Sequence, residues 1–171
     1  MAQLLSAPTP AMDHENYPES YIRDVLRQVK VIAMVGASAN WNRPSFFAMK
    51  YLQQKGYRVI PVNPREAGKE ILGEKVYADL TEIPDPVDMV DCFRASDQIP
   101  SIADGAIKIG AKVLWMQLGV RNDEAASKAE AAGLKVIMNR CPKIEYGRLS
   151  GEIGWLGINT RLISSKRQKR I

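Results

Sequence analysis

Two cysteines and one histidine in 171 residues are too few for most of the chemistry those side chains support. Cys92 and Cys141 do not make a disulfide framework, so a reducing, cytoplasmic setting is the default expectation. His14 is the single histidine and lies near the N-terminus, which excludes clustered Cys/His metal ligands and an H-E-x-x-H pair. No G-x-S-x-G nucleophile elbow occurs. No run approaches the roughly 20 apolar residues of a membrane-spanning helix. The first twenty residues have neither a basic start nor a long apolar stretch, so no secretory signal is expected.

What is present is ordinary for a soluble globular domain: 46% hydrophobic residues, 25% charged residues and a mean hydropathy of −0.22. The length suits one domain with a core of its own. The formal net charge is +5, but Lys166, Arg167, Lys169 and Arg170 fall within the last six residues. The remainder is nearly neutral. A solvated basic tail is the expected reading, and nucleic-acid or partner binding through that tail is the alternative.

Residues 1–18 read as an N-terminal arm, 19–150 as the domain and 151–171 as a C-terminal extension with the basic tail. A first helix is expected after Ser20 as N-cap, with Ile22, Val25, Leu26 and Val29 on its apolar face. Short apolar runs follow at Val31–Val35, Arg58–Val62, Val87–Cys92, Lys112–Met116 and Leu134–Met138. Helical patterns separate them at Ser45–Lys55, Asp97–Ile109 and Asp123–Ala132. Gly56, Gly110 and Gly133 stand where those helices should stop. Strands alternating with helices of about ten residues predict βαβ units and a parallel sheet covered on both faces. The expected fold is a Rossmann-like, doubly wound α/β sheet of five parallel strands in three layers, in the order 3-2-1-4-5. Ligands of such sheets collect beyond the C-terminal strand ends, near the switch point beside the first strand.

The residues at those ends are therefore the candidate site. Gly36-Ala37-Ser38 leaves the first strand, and Arg43-Pro44-Ser45 opens the next helix, whose first-turn N–H groups and dipole favour a phosphate. Only the first glycine of G-x-G-x-x-G is present, because Ser38 and Trp41 occupy the other two positions. A phosphate site and an ordinary strand-to-helix turn both remain open. The second strand ends in Asn63-Pro64-Arg65, where NAD enzymes place an acid for the ribose hydroxyls. A cation there suits a ribose with an extra phosphate, as in NADP or coenzyme A, although Glu66 follows directly and a plain polar turn is possible. Phe93, Arg94 and Ser96 end the third strand and could cover an adenine and contact phosphate; equally, Phe93 is core and Arg94 surface. Leu118 and Gly119 follow the fourth strand, and Asn139 and Cys141 the fifth. Arg140 and Lys143 beside Cys141 could favour its thiolate, the alternative being an inert structural cysteine. Trp115 and Trp155 fit either a core or an interface with a partner protein or a second copy.

From about Val31 to Ile144 the chain carries VGAS with RPS, then GYRVIPVNP, ILGEKVY, EIPDPVDMVD, GAKVLWMQLGV and AAGLKVIMNRCPKIE. In this order the motifs resemble the coenzyme A-binding protein family related to the N-terminal domain of the succinyl-CoA ligase alpha subunit. The resemblance implies diphosphate at Gly36 to Ser38 and Ser45, and the adenosine 3′-phosphate near Asn63 to Arg65. It also implies the nucleotide near Phe93 to Ser96 and the pantetheine arm toward Gly119 and Asn139 to Cys141. The ligase's phosphohistidine domain has no counterpart in length here. The function expected from the resemblance is binding of CoA or an acyl-CoA, without evident catalytic groups of the chain's own. An NADP-dependent oxidoreductase is the alternative. It requires a hydride-transfer site, and a Tyr-x-x-x-Lys pair of the dehydrogenase kind is expected to be missing.

Overall fold

The computed structural model describes residues 11–151. Helix α1 (Glu19–Gln28) leads into strand β1 (Val31–Val35), then α2 (Pro44–Gln54) and β2 (Arg58–Val62). A two-stranded antiparallel hairpin, β3 (Glu70–Ile71) with β4 (Glu74–Lys75), interrupts the alternation. It resumes with β5 (Met89–Cys92), α3 (Ile99–Lys108), β6 (Val113–Met116), α4 (Asp123–Ala131), β7 (Lys135–Ile137) and α5 (Pro142–Leu149). The expected fold class is borne out: β2, β1, β5, β6 and β7 form one five-stranded sheet, parallel throughout. Helix α1 starts earlier than expected, with Pro18 rather than Ser20 at its N-cap. The expected stops at Gly56, Gly110 and Gly133 all have positive φ, the geometry that ends a helix tightly.

The five strands numbered in chain order run 2-1-3-4-5, and the pattern 3-2-1-4-5 appears when the position outside β2 is counted as the third, which makes β7 a sixth position. A single parallel bridge from Val62 to Tyr77 fills that position. The Val87–Cys92 run, expected there, lies instead on the other side of β1, with Ala33 opposite Val90. Pro61 supplies the physical reason. Its carbonyl accepts from Tyr77 N at 3.1 Å on the outer side of β2, so its missing N–H falls on that side too. No full strand can build a regular ladder there.

Alternating side chains feed two cores. On one face Met34, Met89, Trp115 and Ile137 meet Ile22, Val25 and Leu26 of α1 and Ala48, Met49 and Leu52 of α2. On the other Ala33, Val90, Leu114 and Val136 meet the small residues Ala103 and Ala106 of α3 and Ala125, Ala126 and Ala129 of α4. Trp115 is fully buried, so of its two expected roles the core one applies, and its indole N–H donates to Arg140 O at 2.8 Å. Trp155 and the basic tail lie outside the described residues.

The described part of the expected arm straps the outer side of β7. Tyr17 Oη accepts from Met138 N at 2.8 Å, and Tyr21 Oη donates to Val136 O at 3.2 Å. Their rings stack, His14 Nε2 lies 3.2 Å from Glu130 Oε1, and Glu15 pairs with Arg121. No helix among the described residues is long and apolar enough to cross a membrane.

Candidate functional site

Parallel strands deliver their C-terminal ends to one side, and every expected site residue lies in the loops or helix starts there. Gly36 continues the ladder, donating to Val62 O at 2.8 Å, and then turns with φ +89°. A Cβ at this position would stand 2.2 Å from the carbonyl oxygen of Phe93, so the turn passes directly over the end of β5. Only glycine fits both the dihedral and the space. Ala37 is buried and its carbonyl accepts from Asn63 Nδ2 at 2.8 Å. Ser38 Oγ accepts from Asn40 N at 3.1 Å, and Ala39 N donates to Glu66 Oε2 at 3.3 Å. The acid after β2 is thus engaged by this loop. Helix α2 begins at Pro44 with Arg43 at the N-cap and no side chain capping it, and Ser45 is buried in its first turn.

Asn63 ties the neighbouring loops together. Besides Ala37 it meets Arg65, whose N–H donates to Asn63 Oδ1 at 3.0 Å, and Arg94, whose guanidinium donates to the same oxygen at 3.5 Å. Its side chain is spent on positioning, while Pro64 and Arg65 are exposed. Ser96 is likewise engaged: its Oγ accepts from Arg121 N at 3.1 Å and its carbonyl from Asn122 Nδ2 at 3.1 Å. Gly119 N donates to Asn139 Oδ1 at 2.8 Å, and Asn139 adopts φ +53°, locking the loops after β6 and β7 to each other.

Two cavities open on this side. The larger, about 840 Å³, lies between the starts of α2 and α5 and brings together Pro44, Phe93, Arg94, Leu118 and Cys141 of the expected residues. The smaller, about 470 Å³, holds Pro64 and Arg65 with Asp79 and Ser101. Arg94 and Gln98 line both. Gly36, Ala37, Ser38, Arg43 and Ser45 lie at the turn between strand and helix and wall neither cavity; nor do Asn63, Ser96, Gly119 and Asn139.

Three participants were not expected: Gln117 and Phe47 on the larger cavity, and Asp91 behind it; Lys143, expected beside Cys141, also lines the larger cavity. Asp91 is fully buried in β5, opposite Met34 and Trp115. Gln117 Nε2 donates to its Oδ1 at 2.7 Å, and its Oδ2 has no hydrogen-bond partner. Burial pushes this carboxyl up to about 7, with the Gln117 hydrogen bond pulling the other way. A charge-bearing residue inside the apolar run VDMVDC was the available signal.

Burial pushes the Cys141 thiol above the usual cysteine range, outweighing the N–H groups of Ile144 and Lys143, and the buried Asp91 adds to the rise. The Lys143 charge lowers it, as expected, but does not decide it. Arg140 is turned away, donating to Asn139 O and Glu15 O and lying over the Tyr17 ring. Cys92 and Cys141 are both free. The Tyr-x-x-x-Lys spacing does occur, contrary to expectation, at Tyr51 and Lys55. Tyr51 lies near the end of α2 and Lys55 is its C-cap, with the Lys55 ammonium 5.1 Å from the Tyr51 ring centre, and neither lines either cavity.

A family model described as CoA binding domain matches residues 30–147. The chain belongs to this CoA-binding domain family. It is 38% identical over 132 residues to the uncharacterized protein YneT of Bacillus subtilis, covering 77% of this chain and 96% of YneT. It is 34% identical over 95 residues to subunit alpha of the ADP-forming acetate–CoA ligase I of Pyrococcus furiosus, covering 53% of this chain but only 21% of that subunit. Among solved structures, a hypothetical protein from Pyrococcus horikoshii OT3 superposes with a TM-score of 0.76 at 40% identity, covering 84% of this chain and 99% of that one.

Proposed function

We propose that this chain binds coenzyme A, free or as an acyl thioester, across the C-terminal ends of β2, β1, β5 and β6. The observation that carries the reading is the pair of cavities meeting at Arg94, one with Arg65 and one reaching Cys141. An elongated ligand with a phosphorylated ribose at one end and a flexible arm at the other suits that shape. In this reading the diphosphate lies over Gly36 to Ser38, on the uncapped N-terminus of α2 and within reach of Arg43. The adenosine 3′-phosphate meets Arg65, and the nucleotide lies along Phe93 to Ser96. The pantetheine arm runs past Leu118 toward Cys141, with Gly119 and Asn139 holding the loops beneath it.

No step of covalent chemistry is assigned to the chain. The support for a binding role is the engagement of the site's polar side chains in positioning.

Thermal unfolding with CoA, dephospho-CoA, NADP and NAD tests the reading. CoA should raise the melting temperature most, since a ligand at 100 times its Kd stabilises the native state by about 2.7 kcal/mol. Dephospho-CoA should do less and NAD least. An NAD shift equal to that of CoA refutes the assignment, and a larger NADP shift turns it toward the oxidoreductase alternative.

A further inference from the structure

The larger cavity offers more carbon than the thiol end of a coenzyme can cover. Phe47, Ala48, Phe93, Leu118, Val120 and Ile144 all contribute to its wall. Large apolar side chains that remain exposed among the described residues are Trp41 (67%), Phe47 (48%) and Leu118 (57%). Two of them line this cavity, and Trp41 adjoins Asn42, which also lines it. They arrive from separate places: the β1–α2 loop, the first turn of α2 and the loop after β6. Apolar surface gathered at one rim and left in water is unfavourable unless something apolar covers it.

The lining also carries the polar side chains Asn42, Arg94, Gln98, Gln117 and Lys143. Gln117 is held by Asp91, while Arg94 and Lys143 bring positive charge. A largely apolar wall with a few placed polar groups is the make-up of a small-molecule pocket. Its volume of about 840 Å³ is toward the upper end of the roughly 300–1,000 Å³ usual for such pockets. That leaves room for a hydrocarbon chain beyond the end of a pantetheine arm.

We infer that this cavity receives the acyl chain of an acyl thioester, so that the preferred ligand is an apolar acyl-CoA of medium chain length rather than free CoA. The inference rests on the CoA reading above and adds the class of acyl group. Recognition comes from burial of methylene groups against Phe47, Leu118 and Ile144, and it makes and breaks no bond.

Calorimetric titration of the full chain with CoA, acetyl-CoA, butanoyl-CoA and octanoyl-CoA, below micelle-forming concentrations, tests it. Each fully buried methylene is worth about fourfold in affinity. Partial burial of the six added between acetyl and octanoyl should still give at least about tenfold. In Phe47→Asp, which sets a carboxylate in the wall, the octanoyl-to-acetyl ratio should fall toward one, with circular dichroism reporting the fold. The wild-type series decides the matter even if that variant does not fold. If CoA and acetyl-CoA bind but longer chains gain nothing, the acyl inference is overturned and the CoA reading stands. A gain that survives intact in a folded Phe47→Asp overturns it as well, because the chain then lies elsewhere. If none of the four binds, the CoA reading itself falls.

Discussion

Gln117 donates a 2.7 Å hydrogen bond to Asp91 inside the sheet, and nothing described reaches the other carboxyl oxygen. The carboxyl is pushed up to about 7 by burial, so between the usual carboxylate range near 4 and about 7 the folded chain holds a proton that the unfolded chain has released. This contribution is therefore fully present at low pH, is lost as pH rises through that window, and levels off above it. The loss is at most about 1.4 kcal/mol per pH unit. Asp91→Asn keeps an acceptor for Gln117 and carries no charge. Melting temperatures measured from pH 5 to 8 should fall more steeply for the wild type than for the variant, and parallel curves would show that Asp91 does not titrate there.

Replacing Gly36 tests the turn over β5. Gly36→Ala meets both a left-handed dihedral and the Phe93 carbonyl, and should lower stability by about 3 kcal/mol. CoA affinity should drop at least about tenfold as the loop moves away. Gly56→Ala has a similar φ, +94°, but open space around its Cβ, so it should lose only about 1–2 kcal/mol and retain CoA binding. Denaturant midpoints and ligand titrations of the two variants separate dihedral strain from collision.

Arg65 is exposed, and its proposed partner is one phosphate. Arg65→Ala should weaken CoA about tenfold, the scale of one charge-assisted hydrogen bond partly screened by water, and leave dephospho-CoA unchanged. Equal weakening of both ligands would move the cation away from the 3′-phosphate.

At β7, Tyr17→Phe removes the acceptor of the Met138 N–H and should lower stability by about 1 kcal/mol. Amide exchange should quicken at Met138 in that variant. Tyr21→Phe, which removes the donor to Val136 O, should leave the Met138 amide protected. Unchanged exchange at Met138 in Tyr17→Phe would detach the strap from the strand.

The five strands were legible because each is a short apolar run with a turn signal nearby, and both faces of a parallel sheet are covered. Their order was less so, since periodicity says nothing about which strand lies beside which. Pro61 carried that information in a single residue: a proline inside Arg58–Val62 denies β2 a regular outer neighbour. Helix α5 was missed because its buried residues are Pro142, Glu145 and Gly147, with Tyr146 and Leu149 packing partly against the core, so no clear apolar period marks it. At the site, glycine, proline and arginine at the strand ends signalled a turn and a charge. Gln117 and Phe47 look in the sequence like ordinary helix and loop residues, and only the fold turns them toward one cavity.

Both flanks of the main sheet end in groups that cannot recruit another strand. On one side Pro61 has no hydrogen to give and Tyr77 occupies the remaining acceptor; on the other, two phenol hydroxyls sit where an incoming chain would have to bond. Among the described residues, neither flank of the main sheet offers a regular run of backbone groups for a second copy to extend. Contact between copies at those flanks is left to helices and loops, and exposed apolar side chains of the described residues, Phe47 and Leu118 among them, gather at the strand-end crevice.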